Sequence, residues 1–205
     1  MNAPLVDIPE PERPRRRLVV MVRHYSQAMS DDQTVLEHLV ALVPPPAEPV
    51  FGIGSWEELA SDMGLRFPAD YMAFLERYGS CQFARWLAIY DPRGLPQEDR
   101  RDPAQWGEEY RDLRDDSPEG YPLAMWPESG GFIEWGTTID GEAFGWLTVG
   151  EPKDWPVLVL YRHDLVLGPI HESMTEFLLG WASGLRYNGR AVRNDGLPLR
   201  CLAWA

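Results

Sequence analysis

Apolar residues recur at helical spacing in several separate stretches of the chain. Val35, Leu36, Leu39, Val40 and Val43 follow Ser30-Asp31-Asp32, a good helix start, and Pro44-Pro45-Pro46 cannot continue the helix they predict. Residues 51–92 then read as helix, turn, helix, turn, strand. Ser55 and Glu58 have the spacing of a capping box, Trp56, Leu59, Ala60 and Met63 repeat behind it, and Gly64 ends the helix. Pro68 suits the first position of the next helix, with Asp70 in its first turn. Tyr71, Phe74, Leu75 and Tyr78 form its apolar stripe, and Gly79 closes it. Gly79-Ser80-Cys81-Gln82 reads as a turn, and Trp86, Leu87 and Ile89 as a strand before the breaker Asp91-Pro92.

The pattern changes at residues 93–120, which are dense in charge. Within them, residues 103–115 predict an amphipathic helix laced with ion pairs, with Trp106, Tyr110 and Leu113 as its apolar side. Residues 121–172 read as sheet. Gly131 to Gly136 and Ala143 to Val149 form a hairpin around Asp140-Gly141-Glu142. The turn Pro152 to Pro156 precedes Val157 to Tyr161, a continuous apolar run suited to a strand covered on both faces. His163-Asp164 turns the chain into the edge strand Leu165-Val166-Leu167. Ser173 and Glu176 make a second capping box, behind which Phe177, Leu178, Trp181 and Leu185 are buried up to a stop near Gly184. The tail either adds a last strand or covers the core with Leu202 and Trp204. The sum is an α+β chain: a largely antiparallel or mixed twisted sheet of five or six strands with helices packed around it.

A chain of 205 residues supports one domain with a sizeable core. Residues 1–29, proline-rich at first, are expected to be an extension outside the packed domain, disordered or a mis-assigned start with translation beginning at Met21 or Met29. Residues 30–205 then form the single domain, carrying residues 93–120 as a charged insertion. Arg15-Arg16-Arg17 followed by five apolar residues resembles a twin-arginine signal, but Arg23-His24 stops the run short of the ~7–15 a signal core needs. No apolar run approaches the ~20 residues of a membrane span, so a cytoplasmic protein is expected. The two cysteines, Cys81 and Cys201, are far apart and in no metal or redox motif, which favours reduced thiols.

A net charge of −13 argues against simple electrostatic binding to nucleic acid and favours a basic partner, if the partner is charged. Candidate chemistry is sparse. His163 and His171, each followed by a carboxylate residue, flank one strand, but a metal needs three or four convergent ligands. Cys81 has no local nucleophile motif, and Phe51-Gly52-Ile53-Gly54 is too short for a phosphate loop and lacks its lysine. No catalytic residue, cofactor or metal is assigned, and an enzyme is the least favoured class. Trp106, Trp126, Trp135 and Trp155 fall at loop or strand ends, where an aromatic ringed by charge suits an interface.

The order of these elements resembles one family. Trp56, Glu58, Leu59, Gly64-Leu65-Arg66-Phe67-Pro68, Asp70-Tyr71, Phe74-Leu75 and Tyr78-Gly79 are similar to the opening of the SUKH superfamily, with Phe67 where leucine is usual. Leu87-Ile89-Asp91-Pro92 is similar to its following strand. Gly130-Gly131-Phe132-Ile133, Trp135-Gly136, Asp140-Gly141 and Trp146 resemble its hairpin. Trp155-Pro156-Val157 and Phe177-Leu178 resemble the next strand and the closing helix, so the likeness spans about residues 30–185. It implies a non-catalytic immunity protein that neutralises a cognate secreted toxin, with a basic nuclease domain as one such toxin; the alternative is a scaffold or regulatory module, as in fungal relatives that act in cell-wall assembly. The matching residues are core and turn positions, so none carries over as functional. Because the family pattern itself includes Trp135 and Trp155, the partner-binding candidates are Trp106 and Trp126 with Glu108, Glu109, Asp112, Asp115 and Asp116, on a monomer.

Overall fold

Local capping chemistry places the helices. The Ser55 hydroxyl accepts from the Glu58 N–H at 3.1 Å, the Glu58 carboxylate accepts from the Ser55 N–H at 3.2 Å, and Gly64 closes the helix in the left-handed region. Ser173 and Glu176 form the same reciprocal box. The computed structural model describes residues 32–93, 103–161, 165–185 and 199–204. Residues 1–29, with both alternative starts, lie outside the described residues. The described helices are α1 (Asp32–Leu42), α2 (Trp56–Met63), α3 (Ala69–Tyr78), α4 (Pro103–Asp116) and α5 (Met174–Ala182). Pro68 sits one position earlier than the sequence suggests, as the residue that caps α3.

Among the described residues, seven strands make one open antiparallel sheet: β1 (Cys81–Phe83), β2 (Leu87–Ile89), β3 (Phe132–Thr138), β4 (Ala143–Leu147), β5 (Val157–Tyr161), β6 (Leu165–Ile170) and β7 (Leu202–Ala203). The order is β6-β5-β4-β3-β2-β1-β7, a meander with the last strand returned to the outer edge of β1. The chain is therefore one α+β domain with more strands than the five or six expected. The tail takes the first of its two expected forms, the two-residue strand β7, and the unexpected strand is β1, whose three residues are too few to show a period in the sequence. β1 also hides because its hairpin turns through Ala84 and Arg85, two non-glycine residues with positive φ, 51° and 60°. A turn of that hand normally announces itself by Asn-Gly or Asp-Gly.

The alternation of side chains divides the sheet into two buried faces. Ile133, Trp135, Phe144, Trp146, Val157 and Val159 point into the main core with Leu39, Val43, Tyr71, Phe74, Phe177 and Trp181 from α1, α3, α5 and the residues beside them. Phe132, Ala143, Leu158 and Leu160 point the other way, into a smaller cluster completed by Met125, Tyr110, Leu123 and Leu147. β5 is covered on both faces, as its continuous apolar run requires. Leu185 is a correction: α5 ends at Ala182, so Leu185 lies past the helix and is 40% exposed.

The main core is held together by aromatic contacts. Trp56, Tyr71, Trp146, Trp135, Phe144, Trp86, Trp181, Phe83 and Phe74 form an unbroken path of neighbouring rings with centroids 5.1–6.1 Å apart. One polar tie crosses this core. Buried Asp70 at the start of α3 accepts from the Thr175 N–H at 3.0 Å and the Thr175 hydroxyl at 3.3 Å, supplying an acceptor to the first turn of α5. Asp70→Ala is expected to cost about 1–3 kcal/mol, because it leaves that buried donor unpaired. Chemical denaturation checks this, and a loss below a few tenths would reject the tie.

Candidate functional site

The second sheet face is covered by α4, whose amino acids read as a surface helix. Its inward line is Gly107, Tyr110, Arg111 and Arg114, which recur at helical spacing. Gly107 is buried, and a Cβ there would come within 3.3 Å of the Trp126 carbonyl oxygen. Tyr110 packs on the smaller cluster, accepts from the Leu123 N–H at 3.3 Å and meets Tyr121 edge-on at 5.2 Å. Arg111 donates to the Trp126 carbonyl at 3.1 Å. Arg114 donates to the Leu123 carbonyl at 3.0 Å and grips the Glu128 carboxylate through two bonds of 3.0 and 2.8 Å. Both arginines are thus spent on the segment between Tyr121 and Glu128, and they hold the helix down as a bidentate pair can.

Leu113, expected on the packed side, is 46% exposed. The packing line is rotated by one residue from the apolar pattern, because arginine heads find carbonyl and carboxylate acceptors at the loop while their stems lie along it. The rotation sends the acids outward. Glu108, Glu109, Asp112, Asp115 and Asp116 are all exposed, and at 100° per residue they share one contiguous arc of α4. Among the described residues none of the five makes an ion pair. These five are brought together as expected. Trp126 is set apart from them: it is half-buried against the main core, and its carbonyl anchors Arg111. The side chain of Trp106 lies outside the described residues. Trp135 and Trp155 are core residues.

The ion pair responds to pH. Hydrogen bonds from Arg114 hold the Glu128 carboxyl below its ordinary value, and the same bonds raise the Arg114 guanidinium. The contribution of the pair is therefore complete above the ordinary carboxylate range and is lost as pH falls through the lowered Glu128 value.

A second surface was missed by sequence reasoning. Val50, Phe51 and Ile53 are exposed, Ile53 to 89%, yet their loop is tightly held. Asp91 and Arg93 form a buried pair, with Arg93 Nη2 2.7 Å from Asp91 Oδ2 and Nε 3.0 Å from Oδ1. Arg93 also pairs with Glu76 and lies over the Trp56 ring at 4.3 Å, and its bonds to Asp91 raise its already high pKa. The Gly52 N–H donates to Asp91 at 2.9 Å, and the Gly54 N–H donates to the Arg93 carbonyl at 2.7 Å. A Cβ on Gly52 would come within 2.6 Å of Asp91 Oδ1, so glycine is required. Phe51-Gly52-Ile53-Gly54 is a rigid apolar knob, and the only sequence signal for it was the pairing of small and large apolar residues.

His38 and His171 are exposed, while His24 and His163 lie outside the described residues. Among the described residues no group of three or more His, Cys, Asp or Glu could hold a metal ion, and no helix is long and apolar enough to cross a membrane. No family model, no curated protein and no solved structure matches the chain.

Two outcomes separate the tightly held loop from the helix cover. Arg93→Met leaves Asp91 buried and unpaired and is expected to cost about 3–5 kcal/mol in denaturant unfolding. Arg114→Met should leave the global midpoint nearly unchanged while speeding hydrogen exchange in Pro103–Asp116. For the pH response, wild type should lose protection in α4 as acid titrates Glu128, whereas Glu128→Gln should show already weakened protection with no such step.

Proposed function

We propose that the protein is a non-catalytic immunity protein of the SUKH type, which binds and neutralises a basic toxin domain. The observation that carries the reading is the acidic arc of α4. The arginines of the helix are turned inward and consumed by the Tyr121–Glu128 segment, so Glu108, Glu109, Asp112, Asp115 and Asp116 present charge of one sign to solvent. An exposed charge of one sign, on a chain of net −13, accelerates encounter with a basic surface and imposes a salt dependence on it. For a nuclease domain, the carboxylates would occupy the positions that substrate phosphates normally take. The order of residues from Trp56 to Leu178 that resembles the superfamily supports the same reading, and a partner in the cytoplasm is the setting it implies. The alternative, a scaffold or regulatory module, uses the same surface with a partner of the cell's own.

Co-expression with a basic domain encoded beside the gene tests the proposal. Growth rescue and a complex on a sizing column are expected, and the absence of both rejects the immunity reading. In the free protein, replacing the five acids by lysine should change the unfolding free energy by no more than about 0.5 kcal/mol per substitution, because all five are exposed. The on-rate at low salt should fall about 10- to 1000-fold and lose its steep dependence on ionic strength. An unchanged rate would move the interface away from α4.

A further inference from the structure

Cys81 and Cys201 are distant in sequence but adjacent in the fold. Cys81 opposes Ala203 and Gln82 opposes Leu202 in the β1–β7 ladder. Cys201, two residues before Ala203, therefore projects to the same side of the sheet as Cys81. Both are free thiols buried in the main core, 0% and 6% exposed, and the register makes them diagonal neighbours on one face of the β1–β7 ladder. The strand that carries Cys201 to this place is short. β7 has two residues, and its further ties are the Trp204 N–H donating to the Ser80 carbonyl at 3.1 Å and the Trp204 ring edge-on to Tyr90 at 5.0 Å. A two-residue edge opens more readily than strands buried on both sides.

We propose that Cys81 and Cys201 form a redox-responsive pair whose disulfide fastens the C-terminal edge strand to β1. The oxidant is a small-molecule or protein disulfide. The Cys201 thiol, the more accessible of the two, loses its proton and its sulfur attacks the oxidant, forming a mixed disulfide and releasing one thiol. The Cys81 sulfur, deprotonated in turn, attacks Cys201 and displaces the second thiol. Two electrons and two protons pass to the oxidant, and one S–S bond closes within the chain. Burial raises the Cys81 pKa, so the closed protein reacts slowly and the reaction runs through the open edge. Oxidation would then convert a strand held by two residue pairs into one fastened to the sheet, and keep the outer edge of β1 covered.

The full-length chain is treated with oxidised glutathione, then alkylated and digested. The expected product is an intramolecular cross-link between the Cys81 and Cys201 peptides, a loss of two hydrogens in the intact mass, and reversal by dithiothreitol. Closing so long a loop should raise the melting temperature by about 5–10 °C. Cross-linking should go faster in denaturant too dilute to unfold the protein, since the edge opens first. Full alkylation of both thiols after oxidation, glutathione retained on each cysteine, a cross-link only between chains, or an internal cross-link that lowers the melting temperature would each overturn the proposal. Cys201→Ala should abolish the cross-link; because the decisive readings are made on wild type, a variant that fails to fold leaves the test intact.

Discussion

An open antiparallel sheet with apolar residues on both sides has to be covered twice. That constraint organises this protein. Phe132, Ala143, Leu158 and Leu160 face away from the main core, and without a second cover they would be exposed as one apolar patch beside an open sheet. The main face attracts helices with strong apolar stripes, α1, α3 and α5, and its aromatic rings interlock through contacts worth about 0.5–1.5 kcal/mol each beyond their buried area. The second face is left to α4, a helix with few apolar residues.

How α4 can serve as a cover explains its surface. A helix poor in apolar side chains cannot be held by area alone, so its seat depends on Tyr110 and on arginines that reach the carbonyls of Leu123 and Trp126 and the carboxylate of Glu128. Once the cations turn inward, the remaining charge on the helix is negative and outward. The acidic face is thus a consequence of how the sheet is covered. The Asp91–Arg93 pair acts similarly elsewhere. A buried ion pair carries a desolvation penalty that its attraction seldom exceeds, and here it fixes a loop that exposes Phe51 and Ile53.

The parts legible in the sequence are those governed by neighbours in the chain. The two capping boxes, the left-handed Gly64, the hairpin around Asp140-Gly141 and the long strands came from spacings of a few residues. The acidic candidates on α4 were legible too, because a surface carboxylate needs no partner to be placed. The packed side of α4 was not: Leu113 marks the apolar side by composition, yet Arg111 and Arg114 face inward because their acceptors lie nine to fifteen residues away. Asp70 looked like a helix-dipole residue and proved to be a buried acceptor for a helix more than a hundred residues on.

The sequence by itself therefore determined the class of fold, the two helix starts marked by capping boxes and the sign of the exposed charge, since each follows from local pattern or from composition. Only the tertiary structure decided the seven-strand order, the short strand β1, the partners of Asp70 and Arg114, and the placing of Cys81 and Cys201 on one sheet face. A two- or three-residue strand has no period of its own, and a buried charge or thiol takes its neighbours from across the fold. The physical reason is common to all of these. They are interactions between distant positions, and nothing in the local spacing of either position records the other.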